Sequence, residues 1–311
     1  ALDKTNAAAA FSQIENGMLL DLAHDAMKNG SVMRAVYEQP ALARQDGLWM
    51  LNNKRWGRIG GINGHGYNLT IGKDFLFDEH GYYGLLFDYG SNTVSGAAGS
   101  GEYDSYSLGL YAGNKNKPGS ITGFVSYGLQ ANKGTAYLPV LGQTAESGYD
   151  SKTLGIGVEY AYDLDYGKPE ELWHVSPYAR LNFTHYRQKA FREHGAGVFD
   201  RSFGSYSDNY AEGELGLSFD RSEGTGGYGI RLGYKRILAG ERQLMEVCFA
   251  EDECGALLPV RSWGEGRNHF VAAAYVRHDF SRKWSAGGSL SGDWSNGGRE
   301  IGARLDLAYH F

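Results

Sequence analysis

The chain has 311 residues, of which 46 are Gly, 22 Tyr and only 6 Pro, with aromatics at 14% and a formal net charge of −6. It contains no run of about 18 consecutive apolar residues, so no transmembrane helix is expected, and no basic patch interleaved with aromatics points to nucleic acid. A mean hydropathy of −0.43 averages two faces when strands alternate, so it leaves a membrane β-barrel open.

Ala1 opens without a basic region and an apolar core, so no signal peptide is read and the chain is expected to be part of a longer precursor. From Thr5, a candidate N-cap, through Ala7 to Ala10 and on to Asn29-Gly30, the pattern predicts one helix. Phe11, Ile14, Met18 and Leu22 recur at helical spacing, and Gly17 weakens the middle. At about 1.5 Å per residue such a helix is about 36 Å long, the height of a membrane barrel.

Period-2 runs bounded by turn residues then predict twelve strands, from a poorly patterned Gly47 to Ile59 through to Glu300 to Phe311. The runs between are Tyr67 to Phe75, Tyr82 to Gly90, Glu102 to Gly113, Ser120 to Gln130, Ser151 to Asp163, Trp173 to Tyr186, Asp208 to Asp220, Tyr228 to Leu238, His269 to Phe280 and Trp284 to Trp294. One face of each is apolar, as with Tyr83, Leu85, Phe87 and Tyr89 or Leu154, Ile156, Val158 and Tyr160. The other face carries Glu159, Arg180, Glu212, Glu214, Arg231, Lys235, Arg277, Asp293 and Arg304 among Gly and Ser. In a wet lumen these charges either pair with one another beneath the helix or line a conducting pore.

Connections alternate in length. Those around Asp78 to Gly81, Asn114 to Gly119, Arg221 to Gly226 and Ser281 to Lys283 are short; Ala131 to Asp150, Arg187 to Tyr206 and Ala239 to Asn268 are long. Short turns at one end and long loops at the other, with aromatics at strand ends, are the outer-membrane pattern. The expected fold is therefore all-β: a 12-stranded antiparallel transmembrane β-barrel, residues 47–311, with an N-terminal α-helix and linker, residues 1–46, in the lumen. Cys248 and Cys254, the only cysteines, lie in the longest loop, where export to an oxidising compartment favours a local disulfide.

The last strand alternates to its end, with Ile301, Leu305, Leu307, Tyr309 and Phe311 on one face and Gly302, Arg304 and Asp306 on the other. Such an edge needs closure against another strand of the same molecule. The order of helix, linker entering near Asp46-Gly47-Leu48-Trp49, twelve strands with Tyr-Ser-Leu-Gly-Leu-Tyr at Tyr106 to Tyr111, and a final Ala308-Tyr309-His310-Phe311 resembles the C-terminal translocator domain of a monomeric type Va autotransporter. That resemblance implies an integral bacterial outer-membrane protein, monomeric, in contact with outer-membrane lipid and lipopolysaccharide. It also implies insertion by the barrel-assembly machinery, export of an N-terminal passenger to the cell surface, and a helix left in the pore. The assembly strand would be read either through Glu300, Gly302, Leu305 and Leu307 or in a register ending on Tyr309 and Phe311, which puts Asp306 where Gly is usual.

Catalysis has little support: no Gly-x-Ser-x-Gly, His-Glu-x-x-His or phosphate loop occurs, and no metal or cofactor is expected. The resemblance leaves one single-turnover reaction open, self-cleavage at a lumen Asn, with Asn6 and Asn16 as candidates. Outside secretion, the alternative function is a stand-alone outer-membrane channel or an adhesin barrel whose loops bind a ligand.

Overall fold

The structure is a computed structural model that describes Glu15 and residues 17–38, 46–114, 118–169, 172–251, 254–255 and 257–311. Among these residues two helices, α1 (Met18–Lys28) and α2 (Ser31–Tyr37), precede the strands. In chain order the strands are β1 (Gly47–Ile59), β2 (Ile62–Leu76), β3 (Gly81–Gly96), β4 (Gly99–Asn114), β5 (Gly119–Leu138), β6 (Gln143–Tyr162), β7 (His174–Gln188), β8 (Phe191–Arg192) and β9 (Arg201–Phe203). They continue with β10 (Tyr206–Glu223), β11 (Gly226–Ala239), β12 (Leu244–Phe249), β13 (Leu258–Arg261), β14 (Asn268–Asp279), β15 (Trp284–Ser295) and β16 (Gly298–His310).

Twelve of these strands form a closed antiparallel barrel in the order β1-β16-β15-β14-β11-β10-β7-β6-β5-β4-β3-β2. Closure lies between β1 and β16, whose register runs from Gly47↔His310 to Ile59↔Gly298. The chain is inside out relative to a water-soluble barrel. Leu305 is 71% exposed and Leu108 and Leu290 65%, all on the outer face, while Asp88 and Asn68 are fully buried on the lumen face. Large apolar side chains facing out and polar ones facing in suit lipid outside and a polar interior.

Turns at the end that holds Gly47 and His310 are short, apart from the longer connection between β6 and β7. In one of them, the Asp78 carboxylate accepts the backbone N–H groups of His80, at 2.7 Å, and of Gly81, and these bonds hold its pKa below the ordinary value. The opposite end carries the long connections and is the external mouth. Aromatic pairs mark the membrane boundary near the termini: Trp284 and Tyr309 have ring centroids 4.9 Å apart, and Phe75 stacks on Tyr83 at 5.1 Å.

Three expectations change. Asn29-Gly30 is a break within the lumen segment and not its end: Gly30 has φ +53° in the left-handed region, and α2 follows directly. The start of the expected helix, from Thr5, lies outside the described residues. The expected loop from Ala131 to Asp150 is instead a hairpin, in which β5 and β6 continue in register to Leu138↔Gln143 around the 3-10 turn Pro139–Leu141. Above the apolar band the outer face no longer has to be apolar, and the inner face mixes Asn132 and Ser147 with Ala136, Leu138 and Ala145, so the period-2 signal fades while the pairing continues. The connections after β7 and β11 also contain strands, which form a four-stranded sheet in the order β13-β12-β9-β8 over the mouth.

The small sheet shares one apolar core with α1 and the upper barrel wall, Phe203, Val247 and Val260 clustering with Met18, Leu19 and Tyr149. Phe203 and Val247 are 1% exposed, and Phe191 stacks between Tyr149 and Phe203 with centroid distances of 4.1 and 4.6 Å. Cys248 of β12 is joined as a disulfide to Cys254 in the connection to β13. Mass spectrometry of the protein digested without reductant is expected to find one peptide pair linking Cys248 to Cys254; separate alkylated peptides would contradict it.

Candidate functional site

The helix α1 forms because Met, Leu and Ala dominate its sequence, with Asp21 in the first turn and Lys28 in the last to complement the helix dipole. Every residue from Met18 to Met27 is buried, charged ones included, because the barrel surrounds it on all sides. Gly134 and Gly101 on the wall leave room for the side chains of Leu19 and Leu22, where a Cβ would intrude.

At the mouth, the connection after β13 reaches down onto this helix. The backbone N–H of Trp263 donates to the Asp21 carboxylate at 2.7 Å. Glu265, 1% exposed, accepts from Lys28 at 3.0 Å and lies 3.3 Å from His24. Burial alone would raise the Glu265 carboxyl, but Lys28 and His24 beside it hold it well below the ordinary carboxylate range.

Midway down, Arg55 of β1 grips Asp25 of α1. Its Nη1 donates to Asp25 at 2.9 Å, and Nη2 makes a second, shorter contact with the same carboxylate. The guanidinium also donates to Asn92 at 2.9 Å and to Glu300 at 3.2 Å, while the Tyr103 hydroxyl donates to Asp25 at 2.9 Å. Just below, Ser31 at the start of α2 donates to Asp88 at 2.8 Å, and Thr70 donates to the same carboxylate at 2.6 Å. All but Ser31 and Glu300 are buried, so each charge depends on its partners for solvation.

Lower still, Glu38 receives Arg180 at 2.9 Å and lies 3.9 Å from Arg304. Arg180 in turn contacts Glu159 and lies 3.7 Å from Glu214, and Arg231 is 3.4 Å from Glu159. Nearer the mouth, Lys235 contacts Asp293 and lies 3.6 Å from Glu212, and His269 lies 2.6 Å from Asp293. The expected lumen charges Glu159, Arg180, Glu212, Glu214, Arg231, Lys235, Asp293 and Arg304 thus occupy one inner wall. Arg277 shares the inward face but stands apart, 3.5 Å from Asp279. The helix α2 leans on β2, β4 and β5, leaving a cavity on the other side lined by Arg231, Lys235, Ala273 and Asp293.

Sequence reasoning missed the pairs that tie the lumen segment to the wall: Asp25, Lys28 and Glu38 on the segment, and Arg55, Glu265 and Glu300 around it. Only Glu300 carried a visible signal, its place on the inward face of the last strand. Gly302 is buried on that face, Leu305 and Leu307 point to lipid, and Tyr309 packs edge-on against Phe311 with centroids 5.6 Å apart. The Phe311 N–H donates to the Asp46 carbonyl at 3.1 Å. Asn6 and Asn16 lie outside the described residues.

Replacing Arg55 by Ala strands the buried Asp25 carboxylate and is expected to weaken helix retention by about 3–5 kcal/mol. In planar bilayers the variant should show open-channel events that the parent protein lacks. The double variant Asp25→Leu, Arg55→Met should largely suppress them, and a silent Arg55→Ala channel would contradict the clamp.

The family model described as "Autotransporter beta-domain" matches residues 48–291. The translocator domain of the autotransporter NalP from Neisseria meningitidis superposes with a TM-score of 0.76 at 17% identity, over 94% of this chain and 98% of that one. The beta domain of the Bordetella autotransporter BrkA gives 0.65 at 15% identity, covering 86% and 100%. The transport unit of AIDA-I from Escherichia coli gives 0.59 at 12% identity, covering 93% and 99%. No curated protein sequence matches significantly. With most of its length matched by the family model, the chain belongs to the autotransporter beta-domain family, and its barrel is an integral outer-membrane translocator.

Proposed function

We propose that this barrel anchors an N-terminal passenger and serves its export to the cell surface, with residues 1–46 as lumen helix and linker and residues 47–311 as the barrel. The observation that carries this reading is the helix pair inside a closed barrel, tied to opposite walls by Asp25–Arg55 and Glu38–Arg180. A segment held by such specific pairs is a resident plug that joins what lies outside to the strand that begins inside. Asn6 and Asn16 take no part in this reading, and the linker is left uncleaved.

The lumen charges serve the plug. Paired with one another and with the helices, they keep the interior polar without an open path. Removing residues 1–38, both helices together, should raise single-channel conductance in planar bilayers; unchanged conductance would argue against a plug. The closed barrel leaves no free strand edge, which supports a monomer surrounded by outer-membrane lipid and lipopolysaccharide.

Before β1 and β16 join, the last strand is an open template that the barrel-assembly machinery can bind by strand addition, through Gly302, Leu305, Leu307, Tyr309 and Phe311. In the closed barrel Phe311 lies beyond β16, 65% exposed, with the Lys73 ammonium, at 4.9 Å, and Tyr309 beside its ring. Its removal therefore costs the finished fold little. Phe311→Asp is expected to lower outer-membrane insertion in cells by about tenfold while shifting denaturant stability of the folded barrel by about 1 kcal/mol or less. Normal insertion would contradict the assembly role.

A further inference from the structure

The seam strand β1 departs from the pattern of its neighbours on the lipid face. Its outward residues are Leu48, Met50, Asn52, Lys54, Trp56 and Arg58, and the polar ones explain its poor period-2 signal. At about 3.3 Å per residue and a tilt of about 40°, Leu48 to Arg58 climbs about 25 Å, the height of an outer-membrane apolar band. Arg58 therefore stands at the level of the external lipid headgroups, just above Trp56.

Directly opposite Arg58 in the β1/β16 register is Arg299, also exposed on the outer face. Like charges facing each other across a strand pair repel and are ordinarily avoided. Neither guanidinium has an ion pair among the described residues. The outward positions of β1, β2, β15 and β16 carry no Asp or Glu at all, since Glu300, Asp293 and Asp306 face the lumen. Lys54, lower on the same face, turns its ammonium upward to lie 5.2 Å from the Trp56 ring centroid, so a third cation snorkels toward the same level. By contrast Lys133, on the outer face of β5, is neutralised by Glu102 at 3.3 Å.

We propose that Arg58 and Arg299, with Lys54 beneath them, bind the phosphate groups of a phosphorylated glycolipid of the external leaflet, the lipid A part of lipopolysaccharide. Two adjacent guanidiniums offer paired N–H forks that match phosphate oxygens, and a bound phosphate turns the repulsion between them into a bridge. Trp56, exposed on β1 two residues below Arg58, provides apolar surface for the acyl chains beneath the phosphates, and Trp294, exposed on β15 opposite Arg299, flanks the site at the level of the headgroups. The site spans the seam, so its ligand would staple the first strand to the last. This inference rests on the outer-membrane placement and gives the proposed lipopolysaccharide contact a specific address.

The test uses the full folded chain in detergent and measures binding of diphosphoryl lipid A, with dephosphorylated lipid A, phosphatidylglycerol and inorganic phosphate as comparison probes. The variant Arg58→Gln, Arg299→Gln is expected to bind diphosphoryl lipid A about tenfold or more weakly than the parent, Lys133→Gln to bind unchanged, and dephosphorylated lipid A to bind the parent poorly. Equal binding by parent and double variant, equal binding of the dephosphorylated lipid, or equal displacement by phosphatidylglycerol or inorganic phosphate would each overturn the site. Heat-modifiable migration on SDS gels checks separately that the variant barrel is closed, and Arg58→Lys, Arg299→Lys, which keeps the charge, should bind with intermediate strength. Surface exposure of the parent protein in cells tests outer-membrane placement by a different readout, so the two ideas fail separately.

Discussion

Backbone hydrogen bonding without water governs this molecule. In a hydrocarbon layer an unpaired N–H or C=O costs several kcal/mol, so the sheet must close. The pairing of β1 with β16 along their whole length meets that requirement. Once the wall is closed, its lumen face is cut off from lipid and free to carry charge, and its outer face is obliged to be apolar. The helices inside, the buried ion pairs and the exposed leucines all follow from that single topological fact.

Inside, the plug is held by chemistry and not by oil. Asp25, Lys28 and Glu38 each meet a wall or loop partner of opposite sign, and Ser31 meets a carboxylate. Buried pairs of this kind add little net stability against a well-packed apolar substitute, yet breaking one is expensive. Their effect is therefore on specificity: they fix the rotation and depth at which the helices sit. An apolar plug in an apolar lumen would have no preferred setting, and the empty barrel would have no reason to stay hydrated.

The sequence was most legible where one physical rule acted alone. Strands such as β3 and β6 separate lipid from lumen, so their alternation is strong and their location could be read directly. Legibility failed where two rules overlapped. In β1 the inward face carries Trp49 and Leu51 as well as Asn53 and Arg55, because part of it packs beneath the helices, while Lys54 and Arg58 face outward; neither face looked apolar. Above the membrane, β5 and β6 continue with an outer side that includes Lys133, Thr135, Glu146 and Asp150 and an inner side that mixes Asn132 and Ser147 with Ala136, Leu138 and Ala145. The short strands β8, β9, β12 and β13 carry too few residues for any period to show. At the site, wall charges were recognisable by face, but their helix partners were not, because Asp25 and Lys28 on an isolated helix look like solvent-facing polar residues.

The small sheet over the mouth has a further consequence through the connection that follows β13. Gly17, just before α1, packs against the Arg261 carbonyl, and Trp263 meets Asp21 one turn further along. The connection after β13 therefore fixes where the described part of the lumen segment begins, beside Arg261 and Trp263 at the rim. Turning the segment that begins at Gly17 within the pore would break these contacts, so the loop from the small sheet sets the plug's rotation at the rim as Arg55 sets it midway down.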